Sequence, residues 1–265
     1  MNKSNYRAML AVAYCLAAAL APAACGQDRN EIVGQARRSY YDLKSEGLDG
    51  FGCQVRMDWD SMFKTVKPDA IGQSQVLPIL KETHFKVLVG PDGASAVSHQ
   101  SDVPPPSEVV AERVRSATEG FEQVVTGFFQ AWSLFMMGAP FPEADGDYLF
   151  ETDGEKYRLA YKEKSVDVVI SMTHDLAIDE IKVTTPKLEG TLNPTFAKNK
   201  GEFVLLGYDG TYKAASGASQ RVSVKIEHQD VQGFNLPATV TATTSLPASK
   251  VEMAFSFTNC QVTKR

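Results

Sequence analysis

Between Ser107 and Met137, apolar residues recur at spacings of three and four: Val110, Val114, Ala117, Phe121, Val124, Val125, Phe128, Phe129, Trp132, Phe135 and Met136. That period predicts one long helix with an apolar face. Pro104-Pro105-Pro106 stops the preceding segment, Ser107 suits an N-cap, and Glu108 and Glu112 stand where the helix dipole favours acids. Arg113, Arg115, Glu119 and Glu122 oppose the apolar face in the first half only. From Phe128 onward, apolar side chains run nearly round the helix, which predicts burial on most sides. Phe128, Phe129, Trp132, Leu134, Phe135 and Met136 together represent roughly 9–18 kcal/mol of gross burial. They require cover.

Upstream, Ile32, Val33, Ala36, Tyr40 and Leu43 share one side of a helix expected over Asp28–Glu46, with Gly47 as its stop. Phe51, Cys53, Val55, Met57 and Trp59 then alternate with Gly52, Gln54, Arg56 and Asp58, a period-two strand. A short helix is expected around Gln73–Glu82 despite Pro78, followed by a hairpin of His84–Val89 and Ala94–His99 about Pro91-Asp92-Gly93. Beyond Pro140 and Pro142 the pattern is all strand. Tyr148–Glu151 and Lys156–Tyr161 flank Asp153-Gly154, and Val166–Met172 and Ala177–Thr184 flank His174-Asp175. Phe203–Tyr208 and Thr211–Ala214 flank Asp209-Gly210. Val222–His228 and Thr239–Thr244 flank a turn carrying Gly233 and Pro237, and Val251–Val262 closes the chain. About a dozen strands in hairpin succession make an antiparallel meander, and a sheet that long curls or closes. The expected fold is α+β: a large curled antiparallel sheet, a half-open barrel, with helices packed in its concave face.

The N-terminus changes the picture of where this happens. Lys3 and Arg7 precede an apolar run from Ala8 to Ala21, too short and alanine-rich to span a membrane but suited to a secretory signal. A retained, uncleaved anchor is the bland alternative. Residues 1–25 are accordingly set apart as a signal peptide and residues 26–265 as one half-barrel domain. Ala21-Pro22-Ala23 fits a signal-peptidase site, while Ala23-Ala24-Cys25-Gly26 resembles a bacterial lipobox whose cysteine is lipidated, with Pro22 where Leu is usual. Both remain open. Cys15 leaves with the signal; if Cys25 carries lipid, Cys53 and Cys260 are the one possible intramolecular pair, with two free buried thiols as the alternative.

Removing the leader takes two of 27 basic residues and none of the 32 acidic ones, so the net charge moves from −5 to −7. No basic cluster interleaved with aromatics exists, which argues against nucleic acid.

The order of elements resembles the lipoprotein-carrier superfamily of the bacterial periplasm, LolA-like and LolB-like proteins with relatives such as LppX and RseB. The likeness rests on the leader with Cys25, the first helix running into Phe51–Trp59, the 107–137 helix, and the hairpins centred on Asp153-Gly154 and Asp209-Gly210. It covers residues 28–262 as architecture. The resemblance implies a half-barrel whose apolar cavity holds acyl chains beneath a helical lid, in the periplasm or anchored at the outer membrane of a Gram-negative bacterium. It also implies a cargo-handling role for an arginine on an early strand. Arg56 is the candidate, and alternation leaves open which face of its strand looks inward.

Candidate chemistry is thin. His84, His99, His174 and His228 sit singly in different hairpins, and no HExxH or CxxC supports a metal site. Ser61-Met62-Phe63-Lys64 matches an S-x-x-K core, but KTG is absent and Ser101-Asp102 continues with Val103. Asp145-Gly146-Asp147 and Asp153-Gly154 lack EF-hand spacing and suit turns. No phosphate- or dinucleotide-binding loop follows a strand. No enzyme activity and no cofactor are expected. The expectation is a carrier of an apolar or acyl-chain ligand, its cavity walled by Phe128, Phe129, Trp132, Phe135, Met136 and Met137 with Arg56. Contact with the membrane is expected only through a lipid on Cys25. The alternative is a structural or sensory module with a filled core that docks an envelope protein.

Overall fold

Alternating burial along most of the strands presents their apolar faces to a single shared interior. A computed structural model describes this arrangement for residues 28–142, 146–163, 165–246 and 249–265. The segment expected to be a signal peptide and Cys25 lie outside the described residues, as does Asp145. The elements begin with α1 (Arg29–Arg38), β1 (Leu48–Met57), α2 (Trp59–Val66) and α3 (Leu77–Lys81). The hairpin β2 (Thr83–Val89) and β3 (Ser95–Ser101) precedes α4 (Glu108–Met136). Then come β4 (Tyr148–Asp153), β5 (Lys156–Glu163), β6 (Val166–Thr173), β7 (Ile178–Thr184) and β8 (Leu188–Asn199). The chain ends with β9 (Glu202–Ala214), β10 (Ser219–Val231), β11 (Phe234–Leu246) and β12 (Ser249–Lys264).

Among the described residues the strands form one 12-stranded sheet in the order β3-β2-β1-β12-β11-β10-β9-β8-β7-β6-β5-β4, antiparallel throughout and not closed. The fold is α+β, as expected, with α4 packed on the concave side. Ser107 caps α4 by accepting from the Val110 N–H at 3.4 Å, and Leu43 N–H donates to the Met136 carbonyl at 2.9 Å near its end. Among the described residues, no helix is long and apolar enough to cross a membrane.

Several expected elements are redrawn. The first helix stops at Arg38 and does not run to Glu46. Tertiary partners take its next residues: Phe203 N–H donates to the Ser39 carbonyl at 2.7 Å, and Tyr41 N–H donates to the Phe203 carbonyl at 3.1 Å. Tyr40 Oη donates to the Leu176 carbonyl at 3.0 Å and accepts from the Ile178 N–H at 2.7 Å. Trp59 begins a helix and does not end a strand, because Asp58 caps that helix by accepting from the Ser61 N–H at 3.0 Å. The short helix expected around Gln73–Glu82 is present, as a π-helical stretch over Gly72–Val76 running directly into α3.

Asp209-Gly210 is no hairpin. Both residues lie mid-strand in β9, Asp209 paired with Asn193 and Ser223, Gly210 with Leu192 and Val222. The strand lost by joining those two halves is recovered in β8, which the sequence pattern did not show. The nearby turns are Lys200-Gly201 and Gln232-Gly233, each with two consecutive positive φ values (51° and 93°, 56° and 93°), the geometry that matches strand twist. Pro237 stands within β11, at a register irregularity opposite His228.

β1 and β12, from opposite ends of the described chain, are neighbours. Gly52 pairs with Gln261 and Gln54 with Thr258, so Cys53 faces both Asn259 and Cys260 across a bulge. The Cys53 and Cys260 sulfurs are 2.11 Å apart, at disulfide distance. Their separation of 207 residues makes this cross-link worth roughly 5 kcal/mol in the chain-entropy account. Thiol counting under denaturing, non-reducing conditions is expected to find neither cysteine free, and urea unfolding of a Cys53→Ser/Cys260→Ser variant is expected to show that loss.

His228 buries its Nε2 without a hydrogen-bond partner among the described residues, and burial pulls the imidazole down to about 4 from 6.5. The unfolded chain thus takes up a proton that the folded chain resists. Stability is full above pH 6.5 and is expected to fall by up to roughly 3 kcal/mol as pH drops through the window to about 4. A His228→Gln variant followed by urea unfolding across that window is expected to lose this component of the slope.

Candidate functional site

The two flanks of α4 meet the sheet differently. One carries the aromatic series into the core. The Phe121 ring lies 4.8 Å from that of Phe85, Phe129 5.4 Å from Phe257, Trp132 5.9 Å from Phe51, and Phe135 5.7 Å from Phe196. Edge-on geometry dominates these pairs, as the ring quadrupoles favour. Phe129, Trp132, Phe135, Met136 and Met137 are all buried. Of the six expected wall residues, Phe128 lines the groove described below, while these five are buried among neighbouring core side chains. Leu134, expected inside, is 48% exposed.

The other flank presents Gly120, Gln123, Val124, Gly127 and Gln130, again at spacings of three and four. Between it and the inner faces of β9–β12 runs a half-open groove of about 410 Å³, within the size range of small-molecule sites. A Cβ added at Gly120 or Gly127 would meet nothing within 4 Å. The bare backbone at both positions leaves the space along this flank of α4 unfilled. Tyr208, Val224, Val240, Ala242 and Phe255 form a buried floor, and Gln123, Gln130 and Gln220 are exposed at the mouth.

A second recess of about 310 Å³ continues the same flank at Leu134 and Pro140, against Tyr161, Val168, Ile181 and Val183. The sheet floor joins the two, since Val183 pairs with Gly190, Gly190 with Tyr212, Ile181 with Leu192, and Leu192 with Gly210. Side chains at 190 or 210 would press on the Tyr212 ring at 3.3 Å and 3.1 Å, so these glycines let that ring lie against the floor.

The groove is electrically quiet. None of its 16 lining residues bears a charge. Tyr208 is 5% exposed, and its hydroxyl has no hydrogen-bond partner among the described residues. Burial, then the neighbouring Tyr212, holds its phenol well above the usual range. In the second recess, burial and then Glu163 push Tyr161 up to about 12.

Arg56 is exposed on the face opposite Phe51, Cys53 and Val55, and so is not brought to the aromatic cluster or to this groove. Ser61 donates its hydroxyl to Asp58 at 2.7 Å as part of a helix cap, with Lys64 exposed. Among the described residues, no three His, Cys, Asp or Glu side chains gather as a metal-holding group. The groove residues carry a signal in the sequence: Gly120 and Gly127, like Gln123 and Gln130, are seven apart, a small and polar line along an apolar helix.

Comparison with protein families, with curated proteins and with solved structures finds no match for this chain.

Removing a packed ring leaves a void with partial collapse only. Phe129→Ala is therefore expected to cost about 3–5 kcal/mol in urea unfolding, while a Val124→Ala change on the groove flank is expected to cost less than half of that.

Proposed function

We propose that this chain is an exported, non-catalytic binding protein of the bacterial envelope that shelters an apolar moiety, such as an acyl chain, in the groove between α4 and β9–β12. The observation that carries this reading is the glycine-opened flank of α4. A 29-residue helix otherwise committed to the core leaves about 410 Å³ open above an apolar floor. Each methylene transferred there from water is worth about 0.8 kcal/mol. The open, curled sheet with a helix in its hollow is the architectural part of the likeness to lipoprotein-carrier half-barrels, and it supports the reading at that level alone, since a fold hosts many functions. Export rests on the leader sequence, and the cross-link of β1 to β12 agrees with an oxidising compartment. Membrane attachment would come through a lipid on Cys25.

A second reading, a structural or sensory module that docks an envelope protein, draws on the filled aromatic core. It needs no occupant in the groove.

Filling the groove separates the two. The uncharged fluorescent probe N-phenylnaphthylamine is expected to bind the native protein, and Gly127→Leu is expected to weaken that binding at least about tenfold, or about 1.4 kcal/mol. The same change is expected to raise stability by roughly 0.5–1 kcal/mol, because leucine replaces glycine in a helix where space is open. Absence of probe binding to the native protein would overturn the carrier reading in favour of the docking module.

A further inference from the structure

We infer that the groove selects uncharged amphiphiles, an apolar chain bearing an ester, amide or alcohol, over chains ending in a carboxylate or phosphate, and that the Tyr208 hydroxyl is the group that holds the polar function. The inference rests on the carrier reading and adds the chemical class of its ligand.

Three observations lead there. The lining carries no charged side chain, so an anionic headgroup drawn into the groove would give up water without gaining a counterion, which is strongly unfavourable. Tyr208 lies on the buried floor with its hydroxyl unpartnered among the described residues. Its oxygen is not shut away from solvent, so a ligand entering the groove can reach it. A phenol both donates and accepts, so an ester carbonyl, an amide or an alcohol would satisfy it. Finally, depth sorts the polarity. Apolar side chains and Tyr208 lie at the floor, and the amides of Gln123, Gln130 and Gln220 lie at the mouth, offering neutral donors and acceptors to whatever projects outward. The Cβ-free backbone at Gly127 leaves room for the chain alongside.

The test is displacement of N-phenylnaphthylamine from the full exported chain by monopalmitoylglycerol and by palmitate, which share one chain and differ in headgroup charge. Monopalmitoylglycerol is expected to displace the probe at a concentration at least about tenfold below that of palmitate. Tyr208→Phe keeps the ring and removes the hydroxyl. It is expected to shrink that preference about fivefold, as loss of one neutral hydrogen bond does, while leaving the probe's own affinity unchanged. Because the hydroxyl has no partner in the empty groove, this variant is expected to unfold at the native temperature or above it. Equal displacement by the two lipids, or full preference retained in Tyr208→Phe, would overturn the inference while the carrier reading stands. Failure of the native protein to bind the probe removes both.

Discussion

The structure depends on burial of one helix flank. Phe121, Phe128, Phe129, Trp132 and Phe135 project from α4 over nearly four turns, and no arrangement of that helix alone hides them. Cover comes from strands far apart in the sequence: Phe51 of β1, Phe85 of β2, Phe196 of β8, and Phe255 and Phe257 of β12. The sheet must curl for such distant strands to reach one helix. It must also bring the first strand beside the last, which places Cys53 against Cys260.

The same packing explains why a groove survives on the opposite flank. An apolar gap tends to close when its walls are free to move. Here the helix is held by interlocked rings on one side and by local ties along its length. Ser133 Oγ donates to the Gly93 carbonyl at 3.0 Å, and His99 meets Glu122 at 2.8 Å. Tilting α4 toward β9–β12 would break the ring contacts. The glycines at 120 and 127 weaken the helix by about 1 kcal/mol each relative to alanine, a cost the aromatic flank outweighs several-fold. A rigid wall, a rigid floor and missing side chains between them make a space that does not depend on an occupant to exist.

The two sheet edges are treated differently. β3 presents Ser95, Ser98, His99, Gln100 and Ser101, a polar strand poorly suited to capture another chain. β4 is tied to α1, where Arg29 lies over the Tyr148 ring and Tyr148 Oη donates to the Asn30 side chain at 3.0 Å. An open sheet thus ends in one soluble edge and one anchored edge.

Local pattern determined a good deal by itself: α4 with its cap, the strand alternation through Phe51, Cys53 and Val55, most hairpins and the α+β class. These follow from periods of 3.6 and 2.0, properties of neighbouring residues, whereas the pairing of Cys53 with Cys260, one of the alternatives the thiol count allowed, was decided by β1 lying beside β12. What tertiary structure decided has the opposite character. Arg38 ends α1 because Phe203 and Ile178, over a hundred residues away, capture Tyr40 and its neighbours. Asp209-Gly210 runs straight because strands on both sides pair with it, overriding its turn chemistry. Whether an apolar side chain on α4 meets another ring or an empty groove depends on which strands stand opposite, and no single stretch of sequence encodes that.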